Sequence, residues 1–430
     1  MKDLVAPGRI LPIGERVLTK IDTGSSRLRN GEGKGGNLGN PLKSWRDRIE
    51  LFLVRGMLPA GLFCFLTGMF WIGDHGLYSK LFYWTVALPA LLLIPIRRGQ
   101  LKEILGSRVF VAYLPFAFYI ALTVLWSATD NNAVDLMKRP LFVLLLYYAF
   151  FELGNRRFAL MVTTIKWSAI CSVMAAIYTL ALFFVAGGNE RLAGHGALDN
   201  PLMVSHVFGF FLALWLGAYF AERQLSQPLA FFAILCLLVL IVATGSRTPL
   251  LATTATVVWL AVLVGNRKGV LVVCLLAAAG VSIWLFAPEI LVQRGLSYRT
   301  DIWANALRQI GEKPWFGHGY DAPLRIQLAD FPFPFHDPHN LTLAVLFAGG
   351  IVGGVLWVLF YAVALVDCWR LRSNKWVLVC SATVVYGLVS GMTEGGSFLP
   401  RPKEHWFLIW IPMAMLSLAT YRARSHEQST

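Results

Sequence analysis

The chain has 430 residues, enough for two or three soluble domains, yet 57% of them are hydrophobic, 13% aromatic and only 14% charged. A soluble fold carries about a quarter charged residues, and a mean hydropathy of +0.60, with apolar runs long enough to cross a ~30 Å hydrocarbon core, excludes that class in favour of a polytopic membrane protein. The formal charge of +14 lies largely in tails and short loops, where the positive-inside rule places it, so the basicity does not point to nucleic acid.

Residues 1–48 are polar, basic and glycine-rich, Asn30 to Asn40 reading NGEGKGGNLGN. Without an apolar segment close behind its charges this stretch is no signal peptide, and it is predicted to be a disordered cytoplasmic tail. Its GEGKGG run lacks the G-x-x-x-x-G-K-[ST] spacing and flanking strand of a phosphate-binding loop. Twelve apolar spans follow, at about 51–73, 80–96, 108–127, 139–153, 160–186, 201–221, 228–243, 249–265, 269–287, 340–368, 376–392 and 405–420. These predict an all-α fold of about twelve transmembrane helices over 49–421, with 422–430 a second cytoplasmic tail. An even number of spans puts both termini on one side, and the cations of the N-terminal tail assign that side as cytoplasmic. The cysteines (Cys64, Cys171, Cys236, Cys274, Cys368, Cys380) are scattered singly and read as small core residues.

The single long connection, Pro288 to His339, is the expected place for chemistry, and it falls on the outer side. Apolar Ile302, Trp303, Ala306, Leu307 and Ile310 follow helical spacing, which predicts an amphipathic helix along the membrane surface, stopped at Gly311 by a left-handed cap. A turn-rich KPWFGHGYDAP follows, and then FPFPFHDPHN, whose alternating Phe and Pro suit an aromatic wall in the interface. Asp337 reads as the N-cap of the next span and Pro338 as its first residue, which puts His339 and Asn340 in the first helical turn. A histidine there meets the positive end of the helix dipole, which favours the neutral imidazole that can take a proton.

The sequence His339-Asn340, nine residues, then Gly350-x-x-Gly353 resembles the signature of the O-antigen ligase and polymerase superfamily. Arg191-x-x-Gly194 before Asn200-Pro201, Thr244-x-Ser246-Arg247, and Ser297-x-Arg299-x-x-x-Trp303 before Pro314-x-x-Gly317-x-Gly319 agree with it. The likeness covers roughly Arg191 to Gly353, and it departs in the longer HGALD turn after Gly194 and in Thr248, where a glycine is common. The resemblance implies a GT-C-like glycosyltransferase of the bacterial inner membrane. It would be inverting, metal-independent and free of cofactors, with an undecaprenyl-pyrophosphate-linked glycan as donor and lipid A–core as acceptor at the periplasmic face. A polymerase or a protein O-oligosaccharyltransferase sharing the donor is the alternative within that class. A lipid-linked-oligosaccharide transporter is the alternative outside it, disfavoured because only Arg55 and Lys166 carry charge inside spans.

The chemistry fits the resemblance. A pyrophosphate leaves as a stable anion and needs charge stabilisation, which Arg supplies through its planar, permanently charged fork. Arg191 and Arg299 are therefore the expected catalytic cations, and Arg247 and Ser246 the expected binding residues, together with Asn340, Trp303 and His336. The acceptor hydroxyl is a poor nucleophile and gains from a base, for which His339 is the candidate. The competing readings are snorkelling for Arg247, a headgroup anchor for Arg299 and a hydrogen-bonding histidine for His339. His336 and His339 lack a third partner for zinc, so no metal site is expected.

Overall fold

The computed structural model describes residues 41–97, 99–188, 191–221, 227–265, 298–328 and 331–427, with a few positions between 269 and 278. The helices that build the fold are α1 (Trp45–Phe70), α2 (His75–Ile96), α3 (Arg108–Trp126), α4 (Ala133–Arg156), α5 (Phe158–Val185), α6 (Pro201–Ala221), α7 (Gln227–Ala243), α8 (Arg247–Val264), α9 (Arg299–Glu312), α10 (Leu341–Arg370), α11 (Lys375–Gly391) and α12 (His405–Ser425). Among the described residues there is no strand, only an isolated antiparallel bridge between Ile326 and Phe335.

Eleven of the twelve apolar stretches fall on helices, while the stretch 269–287 lies almost wholly outside the described residues. By length and apolar content, eight of these helices can cross a membrane, whereas α7 and α11 are shorter apolar helices. In α4 an apolar middle separates charged ends, with Asp135, Lys138 and Arg139 at one and Glu152 and Arg156 at the other. The N-terminal boundary differs from expectation, because helix already starts at Pro41, inside the stretch read as tail. At the other end α12 and its continuation run on as helix to Glu427, through most of the stretch read as a tail.

Short loops make consecutive helices antiparallel, so the ends of α1, α3, α5, α7 and α11 share one end of the bundle with the starts of α2, α4, α6, α8, α10 and α12. Contacts confirm the sorting. At this end Leu192 N–H donates to the Ala243 carbonyl, Ala197 N–H to Ile72 and the Ser79 hydroxyl to Pro402. At the opposite end Arg97 pairs with Glu152 at 2.8 Å and Arg424 with Asp367, both carboxylates buried. The core between them centres on α11, which packs on α6, α8 and α12. Small residues let these helices approach closely, which is how helices associate where water gives no apolar driving force. A Cβ at Gly387 would fall 1.7 Å from the Leu408 carbonyl oxygen.

The tenth helix is broken at Gly350, whose φ of 60° and ψ of −159° lie in a region only glycine visits readily. A break exposes backbone groups that a bilayer cannot satisfy. The loop segment after α9 satisfies them. His318 N–H donates to the Phe347 carbonyl (2.8 Å) and Gly319 N–H to Ala348 (2.9 Å), while Ile351 and Val352 N–H donate to Pro314 (2.7 Å) and Trp315 (3.2 Å). The Tyr119 hydroxyl donates to the Gly349 carbonyl at 2.7 Å. Gly317 and Gly319, both with positive φ, permit this contact: a Cβ at Gly317 would meet the Ala348 carbonyl at 2.5 Å. Thus Pro314-x-x-Gly317-x-Gly319 and the first glycine of Gly350-x-x-Gly353 are two halves of one backbone splice.

Candidate active site

The loop ahead of the tenth helix is a small packed unit. The apolar face of α9 (Ile302, Ala306, Ile310) packs on Leu324, Ile326, Leu328 and Phe347, so most of the stripe expected to lie on the membrane surface is covered by protein, while Leu307 stays exposed. Phe331 and Phe335 pack against the same cluster, while Phe333 is exposed; the aromatic segment is partly a lid on this core. Helix α9 also runs through Gly311 to Glu312. Gly311 is absent from the positive-φ glycines, and the left-handed residue is instead Tyr298, at the helix start.

The start of α10 corrects a second expectation. Its N-cap is Asn340, whose Oδ1 accepts from Thr342 N–H (2.9 Å) and Leu343 N–H (3.1 Å). Asp337 instead closes a tight turn by accepting from His339 N–H at 2.6 Å. His339 stands outside the helix with φ 47°, a strained conformation for a side chain of its size. The reason is competition for donors: the cap position belongs to the side chain that reaches the second and third N–H groups, and Asn340 does so while Asp337 serves the turn. His339 Nδ1 lies 3.8 Å from Asp337 Oδ1. The Asn340 amide meanwhile donates to the Met392 carbonyl at 2.7 Å, tying this turn to the α11–α12 connection.

That connection holds the residue the sequence reading missed. Glu394, between Thr393 and Gly395, is 2% exposed and forms an ion pair with Arg299. It also accepts from the Thr248 hydroxyl (3.4 Å), which in turn contacts Thr393 (3.1 Å). Burial pushes its carboxyl above the usual carboxylate range, against the opposing pull of Arg299 and His339. Gly396 lies directly against the Asp337 carboxylate. The signal available in sequence was an acid set among Thr and Gly just after an apolar span, which alone does not announce a partner.

Arg191 has a structural duty as well. Its Nε donates to the Thr244 carbonyl and its Nη2 to the Ser246 hydroxyl, both at 2.9 Å, pinning the α5–α6 connection to the α7–α8 turn. Gly245, with φ 63°, makes that turn. Ser246 therefore spends its hydroxyl on Arg191 and leaves the N-terminus of α8 uncapped by a side chain. Arg247 is exposed at the first position of α8, and Thr248, next to it, reaches Glu394. The start of α8 thus joins a pair, Arg191–Ser246, on one side and a chain of three, Thr248–Glu394–Arg299, on the other, with His339 and Asp337 close enough to act on Glu394 electrostatically.

Two expected site residues stand apart. Trp303 packs against the α9 loop core, its indole N–H buried. His336 turns its Nδ1 to the Leu324 carbonyl at 3.2 Å. Among the described residues no group of three His, Cys, Asp or Glu side chains is placed to hold a metal ion.

A bundle of apolar helices whose one end gathers arginines, a buried glutamate and a histidine on a strained turn defines a multi-pass membrane protein with a charged polar site at that end. The O-Antigen ligase family model matches residues 232–358, from α7 through the splice. The O-antigen ligase of Pseudomonas aeruginosa is 46% identical over 377 residues, covering 87% of this chain and 93% of that protein. The chain belongs to the O-antigen ligase family, and it is a glycosyl-transferring enzyme.

Proposed function

We propose that this protein transfers a glycan from undecaprenyl pyrophosphate to lipid A–core, with inversion and without a metal, at the periplasmic face of the bacterial inner membrane. On this reading both termini, and the loops near Arg97, Arg156, Arg267 and Arg370, are cytoplasmic. The observation that carries it is the convergence of Arg299, Arg247 and Arg191 with His339 around the start of α8. The positive end of the α8 dipole favours an anion, and the arginines add the charge a departing pyrophosphate needs.

The acceptor hydroxyl oxygen attacks the anomeric carbon as the bond from that carbon to the phosphate oxygen breaks. The bonding pair leaves on the pyrophosphate, where Arg299 and Arg247 meet it. Glu394 fixes the direction of Arg299, and Arg191 holds the turn that presents Arg247 while adding its own charge. The hydroxyl proton passes to His339. Asp337, beside Nδ1, favours the tautomer protonated there, which leaves Nε2 to accept. Attack from the face opposite the leaving group inverts the anomeric centre.

The deciding experiment incubates purified protein with lipid-linked glycan and lipid A–core and looks for the joined product. Elongation of one glycan by another would assign a polymerase instead, and no transfer to either acceptor would overturn the reading.

A further inference from the structure

The end of the bundle opposite the candidate site contains a cavity of about 200 Å³ between α5, α6, α7, α11 and α12. Its wall is almost wholly apolar, with Met161, Ile165 and Ala169 on α5, Leu214 and Ala218 on α6, and Val379 on α11. The cavity is partly open at the protein surface, and an apolar cavity of about 150 Å³ is already large enough to take up an apolar guest. Two cations stand among the lining residues, Lys166 and Lys375. Lys375 is the first residue of α11 and sits 5.7 Å above the Trp376 ring. Lys166 is eight residues into α5, which at 1.5 Å per residue is about 12 Å from the helix start. A lysine at that depth in an apolar helix is costly and marks a partner. Neither lysine forms an ion pair among the described residues, although Arg97, Arg156 and Arg424 at the same end all do.

We propose that this cavity binds one anionic glycerophospholipid, an acyl chain filling the apolar interior and the phosphate headgroup held between Lys166 and Lys375. The occupant follows from complementarity. An apolar chain matches the wall, a headgroup without net negative charge would leave both ammonium groups unneutralised, and a free phosphate has nothing to place in the interior. Trp376 braces the mouth, with Phe158 edge-on to it at 5.3 Å and the Arg422 guanidinium over Phe158 at 4.3 Å. None of these groups belongs to the transfer machinery, so the site is independent of the proposed reaction.

The test titrates delipidated full-length protein in detergent with phosphatidylglycerol, with phosphatidylcholine of the same acyl chains and with sodium phosphate, following bound lipid by native mass spectrometry and the apparent Tm. Phosphatidylglycerol should bind about thirtyfold more tightly than phosphatidylcholine, each lysine being worth about a factor of five, the value for a cation facing an anionic headgroup. The Lys166→Ala/Lys375→Ala double variant should lose that preference while keeping wild-type transfer. Ala218→Phe, which narrows the cavity, should weaken both lipids. Equal binding of the two lipids by the wild type would overturn the proposal and leave Lys166 a snorkelling side chain. So would an unchanged preference in the double variant, or a response to phosphate alone. Should Ala218→Phe fail to fold, the lysine variants, which alter no packed surface, decide the matter.

Discussion

Gly350 and Gly353 occupy equivalent places in the sequence motif but different ones in the structure, and replacing each by alanine separates them. A Cβ on Gly350 would lie 2.4 Å from the Trp315 carbonyl carbon and oxygen and 2.7 Å from Gly317 N. All three are backbone atoms that cannot rotate away. The left-handed φ adds about 1–3 kcal/mol, and overpacking against fixed backbone about 1–3 kcal/mol more. If the loop yields, four backbone hydrogen bonds of the splice weaken, each worth about 1 kcal/mol. Gly350→Ala should therefore lose about 2–6 kcal/mol and shift the loop that carries the α9 core. At Gly353 the nearest contact is the edge of the Tyr119 ring at 3.3 Å, a side chain able to move, and the backbone is helical. Gly353→Ala should be nearly neutral, because alanine's helix propensity, better by up to about 1 kcal/mol, offsets the tightness. Apparent Tm in detergent, followed by tryptophan fluorescence, compares the two. Equal losses, or no loss at Gly350, would refute the splice.

The remaining predictions concern the site. His339→Ala should fold and bind donor yet transfer about 10²–10⁴-fold more slowly; wild-type turnover would place the base elsewhere, with His336 the next residue to test. Glu394→Gln keeps the shape and removes the charge that aims Arg299, so turnover should fall about 10²-fold, the cost of a misplaced catalytic group, as measured beside donor binding. Because burial raises the Glu394 carboxyl, acidification protonates it above the ordinary carboxylate range and releases Arg299. Wild-type activity should decline there without unfolding, since protonating a buried carboxylate relieves a desolvation cost and this group stabilises the fold as pH falls. In Glu394→Gln that limb of the pH profile should vanish. Arg191→Lys cannot span both Thr244 and Ser246, so it should lower both transfer and apparent Tm, and a variant unchanged in both would remove Arg191 from the site. Turnover should survive EDTA, and its loss with recovery on adding magnesium or manganese would sink the arginine-based mechanism.

The helices were legible because a bilayer fixes their length and composition locally. Each needs its own run of apolar residues, and eleven such runs in the sequence are helices in the structure. Arg191, Ser246, Arg247, Arg299 and His339 were legible through short motifs that place Arg, Ser and His on one side of the membrane. What those residues do to one another was not. Arg191 serves Thr244 and Ser246, separated from it by more than fifty positions, and a pairing of that range leaves no periodicity in the chain. Glu394 reads as an isolated acid until folding carries it to Arg299 and Thr248. The cap of α10 passed from Asp337 to Asn340 because the choice depends on which side chain meets which N–H group in three dimensions, a contest a single residue cannot announce. The glycine motifs, read as one pattern, became one essential contact and one tolerant position only when the broken helix met the loop that completes its hydrogen bonds. Sequence determines what each segment can bury; only the packed chain decides which buried polar groups satisfy one another, because the partners come from segments far apart and each alone would be unsatisfied.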